Sequence, residues 1–422
     1  MMPRDYLFSL ERHGIKLGLD NINHLLEHAG RPYQHYPCVH VGGTNGKGSV
    51  AAFLDAMLRV AGYTVGKFTS PHLIDVSERF QINGEPIAPD ALDEAIAFFR
   101  AAADTLKHPP TFFEMNTAIA FRWFERRRVD IAIIEVGMGG RFDSTNVIRP
   151  VVAAITNIGL EHTKYLGGTL EQIAFEKAGI LKENVPVVLA ETAAGPLDVI
   201  LDRARELCCP VRLLDRDFTF SITGGPGERL FRYGSPARAL GPVKLALPGT
   251  YQGRNAALAV AAAEELMPQF PNLDEHAIVA GLESARWPCR LETVMQHPRV
   301  IIDSAHNPAG ARVLAQEIDP GITVLAVSAD KDAARIIEAL APVTRLFVIS
   351  QFTGPRTLPA NTLAEMARPY PLHVTQGLDE AVELALRLAG DTDPVLITGS
   401  IFAAGEARAL LTRKYGVPPI AF

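Results

Sequence analysis

The stretch HVGGTNGKGSV, residues 40–50, sets Lys47, Thr44 and Ser49 among four glycines. Glycines let a backbone turn tightly and bring its N–H groups close to an anion, and a lysine adds a mobile positive charge. The pattern resembles a phosphate-binding loop, yet it misses the usual spacing G-x-x-x-x-G-K-[ST]. Val41 stands where the first glycine belongs, and Gly48 separates Lys47 from Ser49. The surroundings still suit phosphate. YPCVHV is an apolar run of strand type, and SVAAFLDAMLRVAG reads as a helix ended by Gly62. Strand, glycine-rich turn and helix N-terminus make an anion site from unpaired amides and the helix dipole. Ser49 offers a hydroxyl to the phosphates or to a magnesium ion.

Other chemistry-bearing residues follow apolar runs. KFTSPH supplies Ser70 and His72, IIEVGMGGRFDSTN supplies Glu135, Arg141 and Asp143, and ITNIGLEHTKYLG supplies Asn157 and His162. A glutamate at a strand end is more often a solvated or paired carboxylate, and a lone loop histidine is rarely a ligand. Gathered behind a phosphate loop, however, they form the oxygen-rich set that magnesium prefers, with one imidazole added.

The elements that must position them alternate. CVHV, YTVGKFT, DIAIIEV, VVAAITNI and VPVVLA read as strands separated by helical stretches, which predicts a mainly parallel sheet covered by helices. Ligands of such sheets bind beyond the carboxyl ends of the strands, where these residues fall. From about Val211 to Leu247, pieces such as FTFSIT and LFRYG read as a β-rich insertion. ESARWPCRLETVMQHPRV, interrupted by Pro288 and Pro298, reads as a boundary. Beyond it RVIIDSA, ITVLAVS, RLFVIS, LHVTQ and PVLITGS restart the alternation, as in a smaller Rossmann-like α/β domain. The expected domains are residues 1–290 and 291–422.

Size and composition agree with that division, since 422 residues exceed what one core usually holds. With 41 basic and 47 acidic side chains and a net charge of −6, no general attraction to nucleic acid or anionic membrane is expected. Four cysteines without metal-type spacing, and no apolar span or secretory leader, point to a reducing cytoplasm. A monomer is the default expectation.

Taken in order, HVGGTNGKGSV, TSPHL, EVGMGGRFDSTN, NIGLEHTKYLG, EKAGILK, LPGTYQGRNA and DSAHNPAG resemble the motifs of folylpolyglutamate synthases, including the bacterial type that is also a dihydrofolate synthase, within the Mur ligase superfamily. GPR and GSIF extend the likeness toward the C-terminus. The loop with a glycine between lysine and hydroxyl is similar to that family's own phosphate loop. The resemblance implies an ATP-dependent ligase that phosphorylates a carboxylate and lets the amine of L-glutamate displace phosphate, with a folate or dihydropteroate as acceptor. By likeness, Asn45, Gly46, Lys47, Gly48, Ser49, Asn255, Arg290 and Asp303 would hold ATP. Ser70, Glu135 and His162 would hold Mg2+, joined by Lys177 if it is carbamylated. Lys47, Lys177 and His306 would lie at the reaction centre. For the pterin, Phe112, Phe113 and Glu114 in PPTFFEMN and Phe142, Asp143 and Ser144 in RFDS are the expected contacts, although Phe112 and Phe113 equally suit a helix packing into the core. Glu161 stands where an aspartate is common, which keeps the charge and lengthens the arm. AVSADKDA lacks the glycine and large apolar residues often found before Asp330. Alternatives are a monofunctional folylpolyglutamate synthase, a Mur-type peptide ligase, and an ATPase without ligation.

Overall fold

The structure, a computed structural model, describes residues 1–14, 16–225 and 228–422. Chain packing divides it into two compact units. The first comprises Met1–Pro71, Val76–Ala246 and Gln252–Arg286. The second comprises His72–Asp75, Leu247–Tyr251 and Trp287–Phe422.

The first unit is built on eight strands: β1 (Cys38–Gly42), β2 (Val65–Phe68), β3 (Phe80–Ile82), β4 (Glu85–Pro86), β5 (Ile131–Glu135), β6 (Val152–Ile155), β7 (Val187–Leu189) and β8 (Val211–Leu213). Their order across the sheet is β4-β3-β2-β5-β1-β6-β7-β8. Strands β2, β5, β1, β6, β7 and β8 pair in parallel, and β3 and β4 add an antiparallel edge. The apolar runs read as strands therefore lie where the alternation predicts. After β1 the chain first builds toward β2 and then, beyond β5, crosses to β6. The crevice at this reversal, beyond the carboxyl end of β1, is where such sheets bind ligands.

Burial explains why these strands read as unbroken apolar runs. β1, β5 and β6 are buried at every residue, because helices cover both faces. The Lys47–Val60 helix is buried over most of its length. On one side of the sheet Phe68, Phe80, Phe99, Phe121 and Phe124 are fully buried in one cluster, each worth about 1.5–3 kcal/mol of transfer free energy. A separate antiparallel sheet, ordered β11 (Arg238–Val243), β10 (Leu230–Ser235), β9 (Thr219–Thr223), forms the predicted insertion. The start of that segment, at Val211, instead joins the main sheet as β8. Glu264, on the Gln252–Leu266 helix, ties the insertion down. It accepts from Tyr233 and Ser235 at 2.9 Å each and pairs with Arg212 at 2.6 Å.

The second unit has β12 (Glu292–Gln296), β13 (Arg299–Ile302), β14 (Gly321–Leu325), β15 (Thr344–Ile349), β16 (Leu372–Val374) and β17 (Val395–Thr398), ordered β12-β13-β17-β14-β15-β16. All pairs are parallel except β12 with β13. One expectation needs correction here. ETVMQHPRV, read as interrupted structure, is an antiparallel hairpin whose turn holds His297 and Pro298. Among the described residues no helix is long and apolar enough to cross a membrane.

Candidate active site

The phosphate loop springs from β1 and is clipped to the end of β6. Thr44 N–H donates to the Asn157 carbonyl at 2.8 Å, Asn45 N–H donates to Asn157 Oδ1 at 2.9 Å, and Thr44 Oγ1 exchanges hydrogen bonds with Gly159. Two glycines are obligatory. Gly43 has φ +129°, and a Cβ there would sit 1.9 Å from Thr156 Oγ1. Gly46 has φ +92°, and its Cβ would meet Asn255 Oδ1 at 2.4 Å. Gly46 caps the Lys47–Val60 helix, whose first turn holds Gly48 and the buried Ser49. Lys47 Nζ donates to the Gly43 and Thr44 carbonyls at 3.1 and 3.2 Å, at the mouth of the loop.

Sequence reasoning missed Gln252, although it stands in the same YQGRNA stretch as Asn255. It is fully buried, donates to Ser49 Oγ at 3.3 Å, and accepts from Asn255 Nδ2 at 2.8 Å. The first turn of its helix thus fixes the Ser49 hydroxyl.

The residues expected at magnesium converge in part. Glu135, 5% exposed at the end of β5, accepts from Ser70 N–H at 3.2 Å. His162 begins the Thr163–Leu166 turn with φ +47°. Lys177, buried at the end of the Leu170–Lys177 helix, reaches the phosphate loop. Its amine donates to the Gly43 carbonyl at 2.9 Å and to Glu161 at 2.6 Å. Burial pushes the Lys177 ammonium pKa down, and Glu161 partly offsets this. Burial alone would raise Glu161, but Lys177 and Lys47 together pull it to about 2. Among the described residues no three His, Cys, Asp or Glu side chains form a ready-made metal cage. The donors present are oxygens at the ends of β2 and β5, which fits magnesium, an ion that keeps water and phosphate oxygens in its shell.

The residues expected at the pterin are placed as follows. Phe113 packs its ring against Phe68 at 5.9 Å and against Gly137, where a Cβ would meet the ring at 2.4 Å. Phe112 stacks on Phe8 and lies under the Arg79 guanidinium. Both are partly exposed. Phe142 is 44% exposed, and Arg141 beside it lies 3.9 Å over the Phe175 ring. The expectation that Glu114 presents itself to a pterin needs correction. Glu114 is 2% exposed and accepts from Thr111 N–H at 2.6 Å and Asn21 Nδ2 at 3.3 Å, closing a capping box at the start of Phe112–Arg126. Asp143 is likewise turned inward. It accepts from Met138 N–H, Thr145 N–H and Thr145 Oγ1, so it shapes its loop, and Ser144 is buried beside it.

In the second unit, Asp303 at the end of β13 is 2% exposed and accepts from Leu291 N–H at 2.8 Å and Ala305 N–H at 2.7 Å. It therefore organises the turn that carries Arg290 and His306. Arg290 lies between Cys289 and Leu291, which hold φ +54° and +48°, uncommon for residues with side chains. His306 Nδ1 donates to the Ser304 carbonyl at 2.9 Å, which fixes its tautomer.

The clipped loop with its lysine and serine, a buried lysine and a strand-end glutamate gather cations and oxygen donors beyond the carboxyl ends of the strands, the chemistry that could hold phosphate. The comparisons with known proteins agree. Residues 41–263 match the Mur ligase middle domain, and residues 289–401 match the Mur ligase, glutamate ligase domain. A dihydrofolate synthase/folylpolyglutamate synthase of Bacillus subtilis is 35% identical over 421 residues, covering 97% of this chain and 98% of its own. This chain belongs to the folylpolyglutamate synthase family of Mur ligases. A folylpolyglutamate synthase of Lacticaseibacillus casei is 37% identical, with 92% of each chain covered. The folylpolyglutamate synthase of Mycobacterium tuberculosis, solved with ADP and AMPPCP, superposes with a TM-score of 0.89 at 33% identity, covering 99% of this chain and all of that one. Such full coverage of a folylpolyglutamate synthase extends the likeness to both compact units.

Proposed function

We propose that this chain adds L-glutamate to the free carboxylate of folates, and of dihydropteroate as well, at the expense of ATP. The ligase class follows from its family, and ATP is its substrate. A carboxylate oxygen of the acceptor attacks the γ-phosphorus and ADP leaves. The glutamate amine then attacks the acyl carbon, phosphate leaves, and the amine proton is lost to give the amide. Both steps crowd anions, so their rate depends on fixed positive charge and oriented donors.

The observation that supports this reading is the gathering of Lys47, Ser49 and Lys177 on one clipped loop, with Glu135 at the end of the neighbouring strand β5. Loop amides, Lys47 and Asn255 would hold the phosphates, and Arg290 is assigned to nucleotide binding. Ser70, Glu135 and His162 would hold Mg2+, which when bound offsets the repulsion between phosphate and carboxylate. Carbamylation of Lys177 requires a neutral amine to take up carbon dioxide, and burial favours that form. Phe113 and Phe142 would flank the pterin, and Arg141 would face the acceptor's anionic end. His306 is assigned to the reaction centre. Residues 1–290 are taken as the ATP-binding part and 291–422 as the glutamate-ligase part of a cytoplasmic monomer.

The test is phosphate release by the purified protein with magnesium, ATP and glutamate, with dihydropteroate or tetrahydrofolate as acceptor and products identified by mass. Turnover with both supports the bifunctional reading. Turnover with tetrahydrofolate alone reduces it to chain elongation, and turnover with neither refutes it.

A further inference from the structure

His40 heads the phosphate-loop motif, yet its imidazole is fully buried and reaches another part of the site. Its Nε2 lies 2.8 Å from Thr145 Oγ1. The Thr145 hydroxyl donates in turn to Asp143 Oδ1 at 2.5 Å. A hydroxyl has one proton, and a carboxylate offers none, so the direction of each bond follows. Thr145 gives its proton to Asp143, and His40 must therefore donate through Nε2–H to Thr145.

At the end of this chain the Asp143 carboxylate gathers Met138 N–H at 2.8 Å and Thr145 N–H at 3.0 Å. These bonds close the turn that bears Arg141 and Phe142. Asp143 N–H closes it from inside by donating to the Gly140 carbonyl. Without the His40 donor, the Thr145 hydroxyl loses the partner on its lone-pair side, and its orientation toward Asp143 is less tightly fixed. The loop's shape would loosen while the phosphate loop, clipped separately by Asn157, would keep its own.

We propose that His40 is a positioning residue for the folate acceptor, acting through Thr145 and Asp143 on the Arg141–Phe142 turn and not on ATP. This rests on the reading of that turn as part of the acceptor site. It assigns to the phosphate-loop strand a second task, aligning the acceptor against the nucleotide.

The test measures KM for dihydropteroate and for ATP in His40→Leu, His40→Gln, Thr145→Val and Thr145→Ser, with Phe142→Ala as reference. His40→Leu and Thr145→Val should each raise the acceptor KM about tenfold, the upper scale of one lost buried hydrogen bond, with the ATP KM within about twofold. His40→Gln and Thr145→Ser keep a donor and a hydroxyl and should restore most of the loss. The double variant should be no worse than either single one, because both cut one chain. Equal shifts in both KM values, or an unchanged acceptor KM, would overturn the inference. Thr145→Val matches the native shape and decides the matter if His40→Leu does not fold. If Phe142→Ala raises the acceptor KM while the His40 and Thr145 variants do not, this inference falls and the acceptor reading stands. If Phe142→Ala changes nothing, both fall.

Discussion

Acidification should expose the buried state of His40. Burial, with the nearby Lys182 ammonium adding to it, holds the imidazole pKa at about 3. In the unfolded chain a histidine titrates near 6.5. Between these two values the unfolded chain binds a proton that the folded one refuses, so stability is fully present above about pH 6.5 and is lost as pH falls toward 3. Integrating from pH 7 to pH 5, this single residue withdraws about 2 kcal/mol. Urea unfolding at the two pH values measures it. The chain has two tryptophans, Trp123 in the first unit and Trp287 in the second, so a Trp287→Phe background leaves Trp123 to report on the unit that holds His40. On that background, the protein with His40 should lose about 2 kcal/mol more between pH 7 and pH 5 than the His40→Gln variant, whose amide does not titrate. Parallel losses in the two proteins would refute the reasoning, because they would mean that His40 takes up its proton without unfolding.

Gly43→Ala should abolish ATP-dependent turnover and the thermal shift given by ADP, since the new methyl overlaps Thr156 Oγ1 and the backbone there holds a positive φ. Asp55 and Lys67 form a fully buried pair at 3.1 Å, with Arg59 also on Asp55. Asp55→Asn should cost roughly 3–5 kcal/mol in urea unfolding by removing the buried carboxylate charge that Lys67 and Arg59 share, and Asp55→Leu combined with Lys67→Met should recover most of it. Arg290→Ala should raise the KM for ATP severalfold with an unchanged far-UV circular dichroism spectrum.

What the sequence disclosed and what it hid divide along physical lines. Strands β1, β5, β6, β13 and β17 were legible because helix-covered parallel strands are apolar throughout. The short β3–β4 hairpin went unread although its signal was present, as Asn83-Gly84 is the dipeptide that a two-residue turn requires, and both residues hold positive φ. β12 was hidden because none of its five residues is buried and Pro298 follows two positions after its end. The placing of Lys47 and Ser49 in a glycine-rich loop followed from local spacing, and Asn255 was singled out by the family resemblance alone. The inward turn of Glu114, Asp143 and Asp303 did not, because a carboxylate in a motif reads the same whether it faces a ligand or a backbone amide. Gln252 and Thr145 were silent for a similar reason. Each acts on a side chain or loop far away in sequence, 203 residues for Gln252 and Ser49 and 105 for Thr145 and His40.

The inward-facing carboxylates also bear on how such a site can evolve. Asp143 holds the Met138 and Thr145 amides and Asp303 the Leu291 and Ala305 amides, so their replacement alters the local backbone before it alters any ligand contact. Variation that retunes acceptor preference is thereby channelled toward neighbours with no such duty. Phe142, Leu160, Tyr165 and Phe175 are all substantially exposed in the first unit, on the loops and helices around its strand ends. A library confined to these four positions would leave the hydrogen bonds of Asp143 and Asp303 in place, and so would carry little risk to that inner framework.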